Sequence, residues 1–145
     1  MIAIDTNILV YGHRADSPFH QTALDLLRRK AEGTDAWAIP WPCVHEFLAK
    51  VTHPRIFKNP TPLTRAVEQV TEWLRSPSGR VIGEPDGYLA VLTKMLVESR
   101  VTGAKIHDAR IAAICVAHGV RELWSADRDF GRFTGIRVTN PLHPT

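Results

Sequence analysis

A chain of 145 residues that is 44% apolar and 23% charged has the balance of one globular domain over 1–145, which excludes long disorder and a coiled coil. Its 18 Lys and Arg exceed its 15 Asp and Glu by only three, yet if four acids gather at one site, 11 remain and the rest of the molecule carries a surplus of seven positive charges. A basic body around an acidic pocket suits a polyanionic substrate handled at a metal site.

Met1 to Ile4 is a short apolar run that stops at Asp5-Thr6-Asn7, the pattern of a buried strand ending in a polar loop. Ser17-Pro18 has the form of a helix start, Ser as N-cap and Pro in the first turn. Phe19, Ala23, Leu26 and Leu27 give this helix its apolar stripe, and Gly33 ends it. Ala36 to Ile39 reads as a second strand. Pro40 to Pro42 opens a helix that carries Val44, Phe47, Leu48 and Val51 and stops before Pro54. Arg55 to Pro62 holds two prolines and no periodicity, so a loop is expected. Leu63 to Leu74 is an amphipathic helix with Val67, Val70 and Leu74 on one face. Arg80 to Gly83 is a third strand. Two helices follow, Tyr88 to Val97 and Ile106 to Ala117, separated by Thr102-Gly103, with Gly119 as the C-terminal cap of the second. Glu122 to Ser125 is a strand that ends on acids again, Asp127 and Asp129. Ile136 to Thr139 is the last strand.

Short strands alternating with helices imply a mostly parallel sheet covered by helices, an α/β/α sandwich of three layers. In such sheets the reactive crevice lies beyond the carboxyl ends of the strands. Cys43 and Cys115 sit in apolar stretches with neither a CxxC partner nor a zinc-spaced His, so buried free thiols in a reducing compartment are expected. The start of the chain lacks the basic residues of a signal peptide. The longest apolar run, Ile111 to Ala117, is too short for a bilayer. A cytoplasmic protein with no membrane contact is the expectation.

Four acids stand at places where such a crevice could collect them. Asp5 follows the first strand, Glu46 lies in the helix after the second, Asp108 lies in the first turn of the late helix, and Asp127 follows the Leu123-Trp124 strand. Taken singly, each Asp is an ordinary turn or cap residue. Glu46 differs: a charge between Val44 and Phe47-Leu48 is carried to the edge of the core. Carboxylates forced together resist ionising, so a fold that keeps them needs a positive offset. Mg²⁺ or Mn²⁺ suits oxygen donors and would activate water for attack on a phosphodiester. Thr6 and Ser125 are small hydroxyls beside the acids, able to orient carboxylates or to serve as turn residues. Asn7 could hold Asp5 or cap a helix. No GxSxG, Gly-rich phosphate loop or nucleophilic triad is present.

Ile2-Ala3-Ile4-Asp5-Thr6-Asn7, Val44-His45-Glu46-Phe47-Leu48, His107-Asp108-Ala109 leading to Ala112-Ala113, and Ser125-Ala126-Asp127-Arg128-Asp129-Phe130 resemble the four blocks of the PIN-domain family, in family order and over nearly the whole chain. The nearest resemblance is to the VapC-type toxins of bacterial toxin–antitoxin pairs. The resemblance implies an α/β/α sandwich, Mg²⁺-dependent endoribonuclease activity, a homodimer and inhibition by a small antitoxin. It also implies Asp5, Glu46, Asp108 and Asp127 as catalytic acids, with Asp5, Asp108 and Asp127 on the metal. Asp129 matches a further family acid, so the choice between Asp127 and Asp129 stays open.

Lys50, His53 and Arg55 run along and beyond the Glu46 helix, either as phosphate contacts or as a solvated helix end. Trp37, Trp73 and Trp124 read as core, whereas Trp41 lies close to Glu46. Three other readings compete. Transfer through an aspartyl-phosphate wants an acid at position 7, where Asn7 stands. A non-catalytic RNA-binding domain would use the acids only to hold Mg²⁺. A PIN nuclease of RNA processing would act without an antitoxin.

Overall fold

The computed structural model describes residues 1–143. Its five-stranded sheet is parallel throughout, in the order β3-β2-β1-β4-β5. In chain order the elements are β1 (Ile2–Ile4), α1 (Thr6–His13), α2 (His20–Glu32), β2 (Trp37–Pro40), α3 (Trp41–Val51), α4 (Leu63–Leu74), β3 (Gly79–Ile82), α5 (Tyr88–Ser99), α6 (Lys105–Ala117), β4 (Glu122–Trp124), a 3₁₀ turn (Arg128–Arg132) and β5 (Arg137–Thr139). From β1 the chain steps outward to β2 and β3, then returns past β1 to β4 and β5. Right-handed crossovers therefore place α1 to α4 on one face and α5 and α6 on the other, giving the three layers expected. The helix contacts agree: α1 packs on α2 and α3, α3 on α4, and α5 on α6. No helix among the described residues is long and apolar enough to cross a membrane.

The central strands are the most apolar because helices cover both faces. Ala3 and Ile4 of β1, Trp37 to Ile39 of β2 and Leu123 of β4 are all fully buried. The direction of strand addition reverses between β1 and β4. That switch point opens a crevice at their carboxyl ends, where Asp5 leaves β1 and Ser125 leaves β4.

Three local readings need correction. Asp5-Thr6-Asn7 is not a loop but the start of α1, with Asp5 as its N-cap. This helix has no signature in the sequence because Ile8, Leu9 and Val10 are all buried, and an unbroken apolar run carries no helical period. Gly12 lets α2 approach: a Cβ there would stand 2.4 Å from Leu27 Cδ1. Ser17 does not cap α2. Its hydroxyl donates to the carbonyls of Tyr11 and Arg14 at the end of α1, and α2 begins at His20 behind Phe19, whose φ is +61°. On α4 the inward face is Ala66, Val70 and Trp73, while Val67 is exposed. Trp73 claims that face because its ring packs against Phe47 at 4.9 Å between centroids.

Candidate active site

Asp5 is almost fully buried, and its carboxylate receives four donors. The Thr6 backbone N–H (2.8 Å) and the Cys43 thiol (3.5 Å) donate to Oδ1. The Ser125 hydroxyl (2.7 Å) and the Asn7 amide (3.4 Å) donate to Oδ2. Two opposing effects follow. The donors favour the charged form, but burial outweighs them and raises the Asp5 pKa above the ordinary carboxylate range, with the Glu46 charge adding to the rise.

One residue joins two acids. Thr6 gives its backbone N–H to Asp5 and its hydroxyl to Glu46 Oε2 at 2.9 Å. α3 brings Glu46 there from the turn after its apolar residues Cys43 and Val44, both packed in the core. On the other side of Asp5, Asn7 and Ser125 link α1 to the loop after β4. Asn7 Nδ2 donates to Ser125 Oγ at 3.3 Å, and Asn7 Oδ1 accepts the Ala126 N–H at 3.1 Å. Ser125 Oγ in turn accepts the Asp127 N–H at 3.0 Å. Asp5, Thr6, Asn7, Glu46, Ser125 and Asp127 thus belong to one hydrogen-bonded network.

Asp108 enters from the first turn of α6. Burial raises its pKa first, and the charges of Asp127 and Glu46 raise it further, so it shares the electrostatic surroundings of the network. Lys105 works against that rise, with its Nζ 3.6 Å from Asp108 Oδ2. Asp127 also caps the 3₁₀ turn by accepting the Asp129 N–H at 2.9 Å. Asp129 differs from the other acids. It is exposed and ion-paired to Lys105, which holds its carboxyl below the ordinary range.

Lys105 is the member that sequence reading missed, although it lies three residues before Asp108, a spacing at which helical side chains meet. Cys43 is the other. It is indeed a buried free thiol, but it also donates to Asp5. Burial and the neighbouring Asp5 carboxylate push its pKa well up, so it stays protonated as a donor. Cys115 is buried and pushed up to about 12. Lys50, His53 and Arg55 are exposed. Trp37 and Trp73 are core, Trp124 is half-buried, and Trp41 stands 42% exposed at the end of β2. Its ring lies 6.1 Å from that of His45, tilted by 33°.

The donor set, carboxylate oxygens alone, fits a hard divalent cation in kind. Burial is the main cause of the raised pKa values at Asp5 and Asp108, and the neighbouring carboxylates add negative charge that a cation would offset. Among the described residues no three His, Cys, Asp or Glu side chains are gathered tightly enough to clasp an ion as they stand. Asp108 leans instead on Lys105.

A PIN domain family model matches residues 2–136. Ribonuclease VapC48 of Mycobacterium tuberculosis is 33% identical over 138 residues, 95% of each chain. Among solved structures, VapBC2 from Rickettsia felis bound to a promoter DNA fragment superposes with a TM-score of 0.66 at 19% identity, covering 96% of this chain and 98% of that one. The sarcin-ricin loop cleaving toxin VapC20 of M. tuberculosis also gives 0.66, at 20% identity over 94% of this chain and 99% of its own.

Proposed function

Because this chain belongs to the PIN-domain family, we propose that it is an endoribonuclease that hydrolyses RNA phosphodiesters at the crevice between β1 and β4 and acts as the toxin of a VapBC-type pair. The observation that carries the reading is the network in which Thr6, Asn7 and Ser125 gather Asp5, Glu46 and Asp127 at the sheet's switch point. A structural set of caps would not need Glu46, which a core helix brings to Thr6 across forty positions of sequence.

Asp5, Asp108 and Asp127 are the residues that would hold Mg²⁺ or Mn²⁺. When bound, the ion supplies neutralisation of phosphate charge and activation of a water for in-line attack. The chain's own side chains do the rest. Four donors lock Asp5 in one orientation, so no rearrangement is needed when substrate arrives. Thr6 fixes Glu46 Oε2, which leaves a carboxylate beside Asp5 to take a proton from water. Trp41 and His45 offer an exposed ring face next to Glu46 on which an unpaired base could stack. The surplus of basic residues outside the cluster attracts the phosphate backbone.

VapC48 is named a ribonuclease, and the Rickettsia structure is of a VapBC complex. By that kinship the partner is a small antitoxin, and an Arg from it would suit the crevice, since a guanidinium binds carboxylates in a bidentate fork. The experiment is cleavage of single-stranded RNA by the purified chain with and without Mg²⁺, EDTA and the small protein encoded beside it. Cleavage that needs the ion and stops with the small protein supports the whole reading. Undiminished cleavage in EDTA removes the metal, and cleavage untouched by any neighbouring small protein leaves a free-standing RNA-processing nuclease.

A further inference from the structure

Beside the acid network, at the carboxyl ends of β4 and β5, lies a pocket of about 400 Å³. Ser125 and Asp127 form the wall it shares with the network, and Val138 and Gly131 give it an apolar lining. Arg128, Asn140 and His143 complete it. Asn140 Oδ1 accepts the Leu142 N–H at 3.0 Å, which fixes the amide with Nδ2 as its open end, and no acceptor touches Nδ2 among the described residues. Arg128 is exposed and pairs with no carboxylate among the described residues. The His143 ring is held edge-on by Phe19, 4.9 Å between centroids. Phe19 has a left-handed backbone, φ +61°, that a bulky side chain rarely adopts, and its ring is 42% exposed. Strain kept to hold a half-exposed ring against His143 contributes little to the core, and such outliers gather at ligand sites.

We propose that this pocket takes an unpaired guanine, the base of an RNA nucleotide that flanks the bond to be cut. The proposal rests on the RNA-cleaving reading given above. The volume lies in the range of small-ligand pockets, and the groups on the walls choose the base. Arg128 and the open end of Asn140 are donors only. Guanine presents two adjacent acceptors, N7 and O6, whereas adenine sets an amino group beside N7 and meets donor with donor. An Asn side chain reads adenine when both ends of its amide are available, and here Leu142 engages the oxygen. Pyrimidines have no N7. The His143 ring gives the base a surface to stack on. β4 separates β1 from β5, so the pocket lies two strand spacings, about 10 Å, from Asp5, a span that one flanking nucleotide covers. Trp41 and His45 stand on the opposite flank, past β2, so the strand runs along the carboxyl edge of the sheet.

The probes are the four ribonucleoside 5′-monophosphates, titrated into the full chain in EDTA and followed by calorimetry and amide chemical shifts, so that the readout needs no cleavage. Guanosine monophosphate should bind about tenfold tighter than the other three and shift the amides of Gly131 and Asn140. Asn140→Asp keeps the oxygen that holds Leu142 and removes the donors, so it should weaken guanosine monophosphate about tenfold and erase the preference. Gly131→Leu should block all four, because a Cβ there meets nothing within 4 Å and the side chain fills the pocket. Thermal melts check that each variant keeps the fold, and Arg128→Met replaces one that does not. In cleavage, a cytidine RNA carrying one guanosine should be cut beside it. Both variants should lose about tenfold in kcat/KM on that RNA while cutting an all-cytidine RNA at the wild-type rate. Equal binding of the four nucleotides, binding of none, or an Asn140→Asp protein with its preference intact overturns the proposal alone. A wild-type chain that cuts no RNA yet binds guanosine monophosphate at these residues overturns the RNA-cleaving reading and leaves the guanine site standing.

Discussion

Thr6 sets two carboxylates at once, through its backbone for Asp5 and its hydroxyl for Glu46, while Ser125 donates its hydroxyl to the Asp5 carboxylate and accepts the backbone N–H of Asp127. The cap and the site are therefore one arrangement, not alternatives. This separates two substitutions that look equivalent in sequence. Asp5→Asn replaces an acceptor of four donors by an amide with one acceptor oxygen, so Ser125 and Asn7 on one side or Thr6 and Cys43 on the other lose a partner. Asp108→Asn removes a charge whose pKa burial and like charges already raise, at the cost of one screened contact with Lys105. A raised carboxyl pKa contributes stability below the unfolded value and loses it as pH rises through the folded one, so at neutral pH the charge opposes folding. Both variants should lose at least about 100-fold in RNA cleavage, the scale of losing a metal ligand. In EDTA at pH 7, Asp108→Asn should melt about 2 °C higher, as ~0.5 kcal/mol gives a domain of this size, and Asp5→Asn should melt lower. An Asp108→Asn protein that melts many degrees lower and still cuts RNA would make Asp108 a structural cap.

At the scale of the elements, α1 is tied to α4 and to the loop before it by His13. Its Nδ1 lies 3.0 Å from Gln69 Oε1 and its Nε2 3.0 Å from Thr61 Oγ1, with the ring edge-on to Phe47. The neutral ring satisfies both contacts, donating to the Gln69 oxygen and accepting from the Thr61 hydroxyl. Burial lowers the His13 pKa, and Arg65 and Arg14 lower it further against the pull of Gln69. A depressed histidine favours the fold while neutral in both states. That contribution is whole above the unfolded pKa of about 6.5 and is lost as pH falls from there through the folded value. The wild-type melting temperature should therefore drop between pH 7 and pH 5 more steeply than that of His13→Gln, which keeps a hydrogen-bonding end without a charge. Parallel melting curves for the two proteins across that range would rule the coupling out. The result bears on the site because α1 carries Asp5, Thr6 and Asn7 at its other end.

At the scale of the molecule, α5 is the helix whose apolar surface the fold leaves uncovered. Only Met95 is buried along its length, while Leu89 and Val97 are 72% and 71% exposed, and Ile106 at the start of α6 adds to the surface. Exposed apolar patches of this kind mark association surfaces. A second copy of the chain, expected from the resemblance to VapC-type toxins, is the proposed cover. Leu89→Lys with Val97→Lys should convert a dimer to a monomer in light scattering while the monomer keeps its melting behaviour. A wild-type chain that is monomeric at tens of micromolar would remove the dimer.

Taken by itself, the sequence determined the α/β/α class, the five strands and five of the six helices, and it marked the acids as candidates. These rest on local signals, such as a short apolar run ended by polar residues, a helical stripe, or a carboxylate just past a strand, and local signals survive in a one-dimensional string. The helix α1 was hidden because burial on all sides erases its period, and Ser17 misled because its hydroxyl closes the end of α1 instead of starting α2. The order β3-β2-β1-β4-β5, the switch point it creates and the meeting of Asp5 with Ser125 across 120 positions belong to the tertiary structure alone. So does the difference in surroundings between Asp127 and Asp129, two acids two positions apart that read alike in sequence: Asp129 pairs with Lys105, and Asp127 caps the 3₁₀ turn. The pairing of Lys105 with Asp129 forms only when α6 packs beside the 3₁₀ turn.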